Sequence, residues 1–301
     1  MPGVFQAVIQ GVGEVSAYRT YILLGSLKQN VLVTKQQRVF QASPIFSKLK
    51  PSIETYRNRV IKRVGKRLYE SRDHWDASLE DLWISVLCRL LIGIQRYGHG
   101  GAVLVSDKNV GLNPKYSLRY PRLSDALLRT GTLEVRHTHH SDIIFETYID
   151  THASEMPVGL YLDETVDADE LDDARSEVTG CIRFLTSLSR VDGLIWLDSH
   201  LSLRAFGVEI TLENDPEAVL RAENPYGTQT KELDLNHFGM RHRSMIRYCA
   251  ADPSSIGFVV SQDGDVRAIT NVKGQVLLWE NVRIQSVVIP KAAEPGKGRR
   301  K

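Results

Sequence analysis

Two short runs without a polar side chain, Ala102-Val103-Leu104-Val105 and Ile256-Gly257-Phe258-Val259-Val260, constrain the fold more than any other feature of the chain. Four or five consecutive apolar residues bounded by turn formers fit a strand that is covered on both faces. Gly98-His99-Gly100-Gly101 precedes the first run. Before that break, residues 78–97 carry Leu79, Leu82, Trp83, Val86, Leu87, Leu90, Leu91 and Ile94 at helical spacing. An apolar face this wide must be buried on more than one side. Ser78, with Asp81 three residues later, predicts the helix start. Helix, glycine break and buried strand together begin an α/β layer, so the expected class is α/β, a mixed sheet flanked by helices.

Residues 256–261 and 266–270 predict a hairpin around Asp263-Gly264, and residues 192–197 and 202–210 a second one, with Asp198-Ser199-His200 near its turn. Residues 240–250 predict a helix stopped by Asp252-Pro253. Residues 275–279 and 284–289 add strands. Residues 212–236 read as a charged loop or insertion at the sheet edge, turning at Asn224-Pro225-Tyr226-Gly227. Residues 123–128 read as a short helix. Residues 163–173, strongly acidic, read as a loop running into a helix over about 169–190, where carboxylates oppose the helix dipole favourably.

Residues 1–77 are expected to form an N-terminal α+β extension. Residues 4–10 and 31–34 read as strands, and Pro51-Ser52 as the opening of a helix whose apolar stripe is Ile53, Tyr56, Val60, Val64 and Leu68. Its other face carries Arg57, Arg59, Lys62, Arg63, Lys66 and Arg67 and reads as a solvated basic face, the alternative being a partner or nucleic-acid surface. Residues 78–290 are expected to form the main domain and residues 291–301 a disordered basic tail.

The chain has 301 residues, a net charge of only +2, 42% hydrophobic and 25% charged residues. Those proportions suit an ordinary globular protein and argue against a nucleic-acid binder. Cys88, Cys181 and Cys249 are far apart and odd in number, so they read as buried free thiols in a reducing compartment. No apolar run reaches the length of a membrane span and no signal peptide is evident, which makes a cytoplasmic location the expectation. His137, His139 and His140 have a spacing that could bind a metal. Arg136 beside them opposes a cation and no cysteine or further histidine cluster supports one, so the segment reads as a polar loop.

The stretch with chemistry in it is Gly239-Met240-Arg241-His242-Arg243. Guanidinium groups present a planar fork that matches phosphate oxygens. Gly239 permits close backbone approach, and the first turn of a helix starting here offers unpaired N–H groups. Asp192-Gly193 opens a strand, and a carboxylate there suits Mg²⁺ or Mn²⁺ bridging phosphates, or activation of a hydroxyl. Together these residues favour phosphoryl or nucleotidyl transfer.

The order of these segments resembles the diadenylate cyclase (DAC) family, the domain found in the DNA integrity scanning protein and its membrane-bound relatives. That family has a "GALIV"-like strand, an Asp-Gly-Ala motif, a Gly-Thr-Arg-His-Arg motif opening a helix, and a strand like "VIVSQ". Here the matching segments are Gly101-Ala102-Val103-Leu104-Val105, Asp192-Gly193-Leu194, Gly239-Met240-Arg241-His242-Arg243 and Gly257-Phe258-Val259-Val260-Ser261-Gln262. The resemblance spans about residues 78–275. It implies a DAC-like fold and the condensation of two ATP molecules to cyclic di-AMP across a homo-oligomer interface. In that scheme Asp192 binds the metal and helps activate the hydroxyl. Gly193 and Leu194 lie at the nucleotide, Gly239, Met240, Arg241, His242 and Arg243 at the phosphates, and Ser261 in the same pocket. Leu194 replaces the family's alanine, Met240 its threonine, and Val191 the histidine that often precedes the aspartate. Those departures open the alternative of a nucleotide sensor in a signalling or defence system.

Overall fold

The computed structural model describes residues 4–11, 14–19, 22–28, 31–33, 37–70, 75–150 and 155–284. Its centre is a nine-stranded mixed sheet. The strands are β5 (Gly101–Val105), β6 (Leu112–Tyr120), β7 (Leu194–Leu197), β8 (Leu203–Ile210), β9 (Val219–Ala222), β10 (Thr230–Glu232), β11 (Ile256–Val260), β12 (Val266–Val272) and β13 (Gln275–Trp279). Their order is β10-β9-β13-β12-β11-β5-β7-β8-β6. The two apolar runs become β5 and β11, adjacent antiparallel strands in the middle of the sheet, with every residue buried. β5 and β7 run parallel, Val103 beside Ile195. The expected α/β class is thus the observed one.

Alternation along the strands divides the core in two. On one face Val103, Val105, Ile195, Phe258 and Ala268 join α1 (Pro44–Val64), α3 (Trp75–Arg96), α4 (Arg122–Ile143) and α5 (Val158–Leu188) in the larger core. On the other face Ala102, Leu104, Val259, Ile269 and Leu278 lie under α6 (Met240–Ala251). Met245, Ile246, Tyr248 and Cys249 of α6 are fully buried there, each of the larger side chains stabilising the packed state by about 1.5–3 kcal/mol. Gly257 lies directly below α6: a Cβ at that position would stand 2.2 Å from Met245 Cγ.

Helix α1 opens at Pro44, not at Pro51. Ser43 is the cap, accepting a hydrogen bond from the Phe46 amide at 3.1 Å, and Pro44 takes the first helical position, where its missing N–H costs nothing. Pro51 lies inside the helix. Burial of Ile45, Leu49, Ile53, Tyr56 and Val60 in the main core outweighs the one lost backbone bond. α1 therefore packs with the domain expected to start at residue 78. Its basic face is solvent-facing and partly matched, Arg57 lying 3.0 Å from Asp76 and Arg59 3.9 Å from Asp125. A short helix, α2 (Lys66–Tyr69), follows. α3 starts at Trp75, so Ser78 lies within it rather than capping it.

Two loop expectations become helix. The histidine segment belongs to α4, and the acidic segment is the first half of the 31-residue α5. The two helices pack side by side, and their charges pair across the seam. Arg136 Nη2 and His140 Nδ1 both reach the buried Asp167, at 2.7 and 3.1 Å, His137 reaches Glu164 at 3.1 Å, and Arg175 reaches Glu134 at 2.7 Å. Three carboxylates of the acidic segment, Glu164, Asp167 and Glu170, meet basic or imidazole side chains of α4, while Asp163, Asp169 and Asp173 stay on the solvent side of the helix. Among the described residues no group of three His, Cys, Asp or Glu side chains could hold a metal ion.

β6 has no counterpart in the sequence reading. It is a polar edge strand containing Pro114, the one kind of strand position that tolerates proline. The charged stretch 212–236 contributes β9 and β10 at the opposite edge, with the Asn224 turn as expected. A separate four-stranded antiparallel sheet consists of β1 (Phe5–Gly11), β2 (Glu14–Arg19), β3 (Ile22–Lys28) and β4 (Val31–Val33). The strand expected at 284–289 and the tail at 291–301 lie, but for Ile284, outside the described residues. All three cysteines are buried and free, as expected, and burial pushes the thiols of Cys88 and Cys249 up to about 12. No helix among the described residues is long and apolar enough to cross a membrane.

Candidate functional site

α6 is held at its far end by a buried carboxylate. Asp252 is fully buried and accepts from Ser106 Oγ at 2.7 Å, while Lys108 Nζ lies 3.2 Å from it and Tyr248 donates to the Lys108 carbonyl at 2.6 Å. Burial works against the Asp252 charge, but hydrogen bonds from Ser254 and Ser106 hold its carboxyl below the usual range. This clamp ties the C-terminal end of α6 to the end of β5. The N-terminal end of α6 consequently lies over the opposite end of the sheet, where β5 begins and β11 ends.

Of the predicted residues, Arg241 lies at that end. The Arg241 guanidinium stands 3.2 Å from the position a Gly100 Cβ would occupy, beside the Val260 carbonyl and the Gln262 amide. Gly100 has φ +67 and leaves no room for a side chain, so the glycine break that ends α3 also makes the seat for Arg241. Continuing the β5–β7 register by three residues brings Asp192 to this same end. Asp192 is 86% exposed, with Lys115 Nζ at 3.8 Å, and Lys115 in turn lies 3.2 Å from Glu209. Arg241 is exposed and, among the described residues, has no carboxylate partner.

The tripeptide is split three ways. Arg243 turns away from the edge and donates to Asp215 Oδ2 at 2.7 Å, while Arg247 donates to Asp215 Oδ1 at 2.6 Å. Hydrogen bonds from Arg247 and Arg243 hold the Asp215 carboxyl below its ordinary range. Arg243 is thus bound to the β8–β9 connection. The half-buried His242 points back over the sheet, where its Nε2 lies 3.1 Å from Arg267 Nη1. Arginine has only donors, so Nε2 is the acceptor and the ring is neutral with its proton on Nδ1. Burial first, then the Arg267 and Arg241 charges, hold its pKa down to about 4. The Phe238 ring lies tilted against the imidazole, centroids 5.3 Å apart, and Arg267 lies 5.8 Å from the Phe238 centroid. Glu280 completes the group, 3.4 Å from Arg267 Nε.

A depressed histidine pKa carries a sign. Between about 4 and the ordinary value of 6.5, the unfolded chain binds the proton and the folded one does not. Stability therefore falls as pH is lowered through that window. Thermal melts over pH 4–6.5 should show this slope, and His242→Gln, which keeps an acceptor for Arg267, should flatten it. An unchanged slope in the variant would mean that the ring is not held neutral.

Gly239 is the N-cap of α6, in open space and with no capping side chain. Met240 is 75% exposed at the first position of the helix. Leu194 is buried in the core under α6. Gly193 has φ +117, and a Cβ on it would stand 2.4 Å from the Gly207 carbonyl carbon, so its bareness serves the β7–β8 contact. Ser261 hydrogen-bonds Asp263 and, at 3.1 Å, the Asp265 carbonyl, closing the β11–β12 turn. Gly100 reads in the sequence only as part of the break after residue 97, and Lys115, Asp215, Arg267 and Glu280 are not singled out there. Arg267 alone had a visible signal, a cation between Val266 and Ala268 in a strand pattern.

The donor set does not make a metal site of its own. Asp192 is a single carboxylate with an ammonium group beside it, and a divalent ion there would take its other ligands from nucleotide phosphates and water. No protein-family model matches the chain, and no curated protein is similar enough to match it.

Proposed function

We propose that this chain is a nucleotide-binding domain of DAC-like kind that works as a sensor, taking ATP or a related purine nucleotide at the end of the sheet marked by Arg241 and Asp192. The observation that carries the reading is the division of the Arg-His-Arg segment. Arg241 is free to meet a phosphate, His242 is neutral and occupied by Arg267, and Arg243 is tied to Asp215. One guanidinium and the uncapped N-terminus of α6 suit recognition of a phosphate group. Condensing two ATP molecules asks for more, because phosphoryl chemistry depends on neutralising the charge of the whole triphosphate.

The exposed carboxylate of Asp192 favours a second reading, diadenylate cyclase, since a metal-bearing ATP could approach it without breaking a buried contact. In that reading two copies of the chain face one another, each supplying one ATP, with Mg²⁺ or Mn²⁺ held between Asp192 and the phosphates. Incubation of concentrated protein with ATP and Mn²⁺, with cyclic di-AMP and pyrophosphate followed and binding measured by calorimetry, separates the two. The sensor gives binding without product. Product that disappears in Asp192→Asn establishes the cyclase, and neither binding nor product rejects both.

A further inference from the structure

α3 and α5 approach closely at Gly93, where a Cβ would stand 2.5 Å from Thr186 Oγ1. Beside this contact the two helices frame a groove of about 590 Å³, within the range of small-molecule sites. Ile92 and Ile182 give it an apolar lining, and Tyr97 stands at one end with the Arg190 guanidinium 5.7 Å from its ring centroid. Arg89, Arg96 and Arg183 line the groove and no carboxylate does. Arg89 is half-buried and donates to Thr179 Oγ1 at 2.7 Å, a neutral acceptor. None of the three arginines has a carboxylate partner among the described residues.

The contrast with the other side of α5 is sharp. Along the α4–α5 seam Arg122, Arg136 and Arg175 each reach a carboxylate at 2.7 Å. In the groove, burial and the Arg183 charge both work against the protonated form of Arg89. Beside Arg183 and without a carboxylate partner among the described residues, the Arg89 charge carries a repulsive cost that an anion would relieve. Three cations match a dianion better than a monovalent carboxylate, and the guanidinium fork pairs with phosphate oxygens in two-point contacts.

We propose that the α3–α5 groove binds an organic phosphate, its dianionic head held by Arg89, Arg96 and Arg183 and its apolar body lying along Ile92 and Ile182. The site is on the helical face of the sheet, opposite α6, and does not depend on the nucleotide reading of the Arg241 edge. The probe is 1-naphthyl phosphate, titrated calorimetrically into the full chain, with inorganic phosphate and 1-naphthol as its two halves. The ester should bind at least tenfold more tightly than either half and slow hydrogen exchange over residues 85–97 and 179–186. Arg183→Ala and Arg89→Met should each weaken it at least tenfold, while Arg241→Ala leaves it within twofold. Arg183 is exposed, so its truncation spares the fold; Arg89→Met keeps an apolar stem and removes a repelled charge, and melting curves check both. No binding at millimolar probe, undiminished binding in the two folded groove variants, inorganic phosphate binding as tightly as the ester, or loss confined to Arg241→Ala would each overturn the proposal.

Discussion

Arg241→Ala is expected to weaken nucleotide binding by about ten- to hundredfold, the loss of a charged hydrogen-bonded contact worth roughly 1.5–3 kcal/mol. The melting temperature should barely move, because Arg241 is exposed and has no carboxylate partner among the described residues. Arg243→Ala, two residues on, should do the reverse. It breaks the contact with Asp215, which Arg247 shares, and so loosens the β8–β9 connection, while nucleotide affinity stays within about threefold by the same reckoning. Calorimetric titration with ATP and a thermal melt on each variant check the pair. Equal affinity losses at the two positions would mean that both arginines meet the phosphates, as the family resemblance implies, and that the Asp215 contact yields when nucleotide binds.

The largest stability effect is expected at Gly193→Ala. The added methyl would lie 2.4 Å from the Gly207 carbonyl carbon and 2.7 Å from both Gly207 Cα and Val208 N. None of these is a side-chain end that could swing aside. The backbone at φ +117 is also one that residues with a Cβ rarely adopt. Strain of about 1–3 kcal/mol and overpacking of about 1–3 kcal/mol add to a sizeable part of the roughly 5–15 kcal/mol that holds a typical domain together. The melting temperature of the ligand-free protein should fall by at least about 5 °C. A variant that melts like the wild type but no longer binds nucleotide would return Gly193 to the role implied by the family resemblance, a bare backbone against the ligand.

The legibility of the chain differed from element to element for physical reasons. β5, β11 and α6 were visible because their apolar periods are unbroken and their ends carry strong turn formers. α5 was legible only in its second half, where Val178, Ile182 and Leu185 repeat at helical spacing. Its first half meets α4 through Asp167 with Arg136 and Glu170 with Arg129, partners 31 and 41 residues away in the chain. β6 was invisible because a polar edge strand has no buried face to impose a pattern. Of the candidate site, Asp192 and Arg241 stand out in the sequence by residue type and by the glycines beside them. Gly100 was read only as a helix breaker, and its second role depends on where the α6 arginine points.

By itself the sequence determined the α/β class, the two central strands and the helix that follows Gly239. Each of these is a local property, set by side-chain period and by the glycine, proline and aspartate residues that stop it. Tertiary structure alone decided what each residue of the segment does. Asp215 takes Arg243 from 28 residues upstream, and Arg267 engages His242 from 25 residues downstream. A guanidinium is free or bound according to which carboxylate the fold brings within hydrogen-bond reach, and no spacing within the tripeptide contains that information.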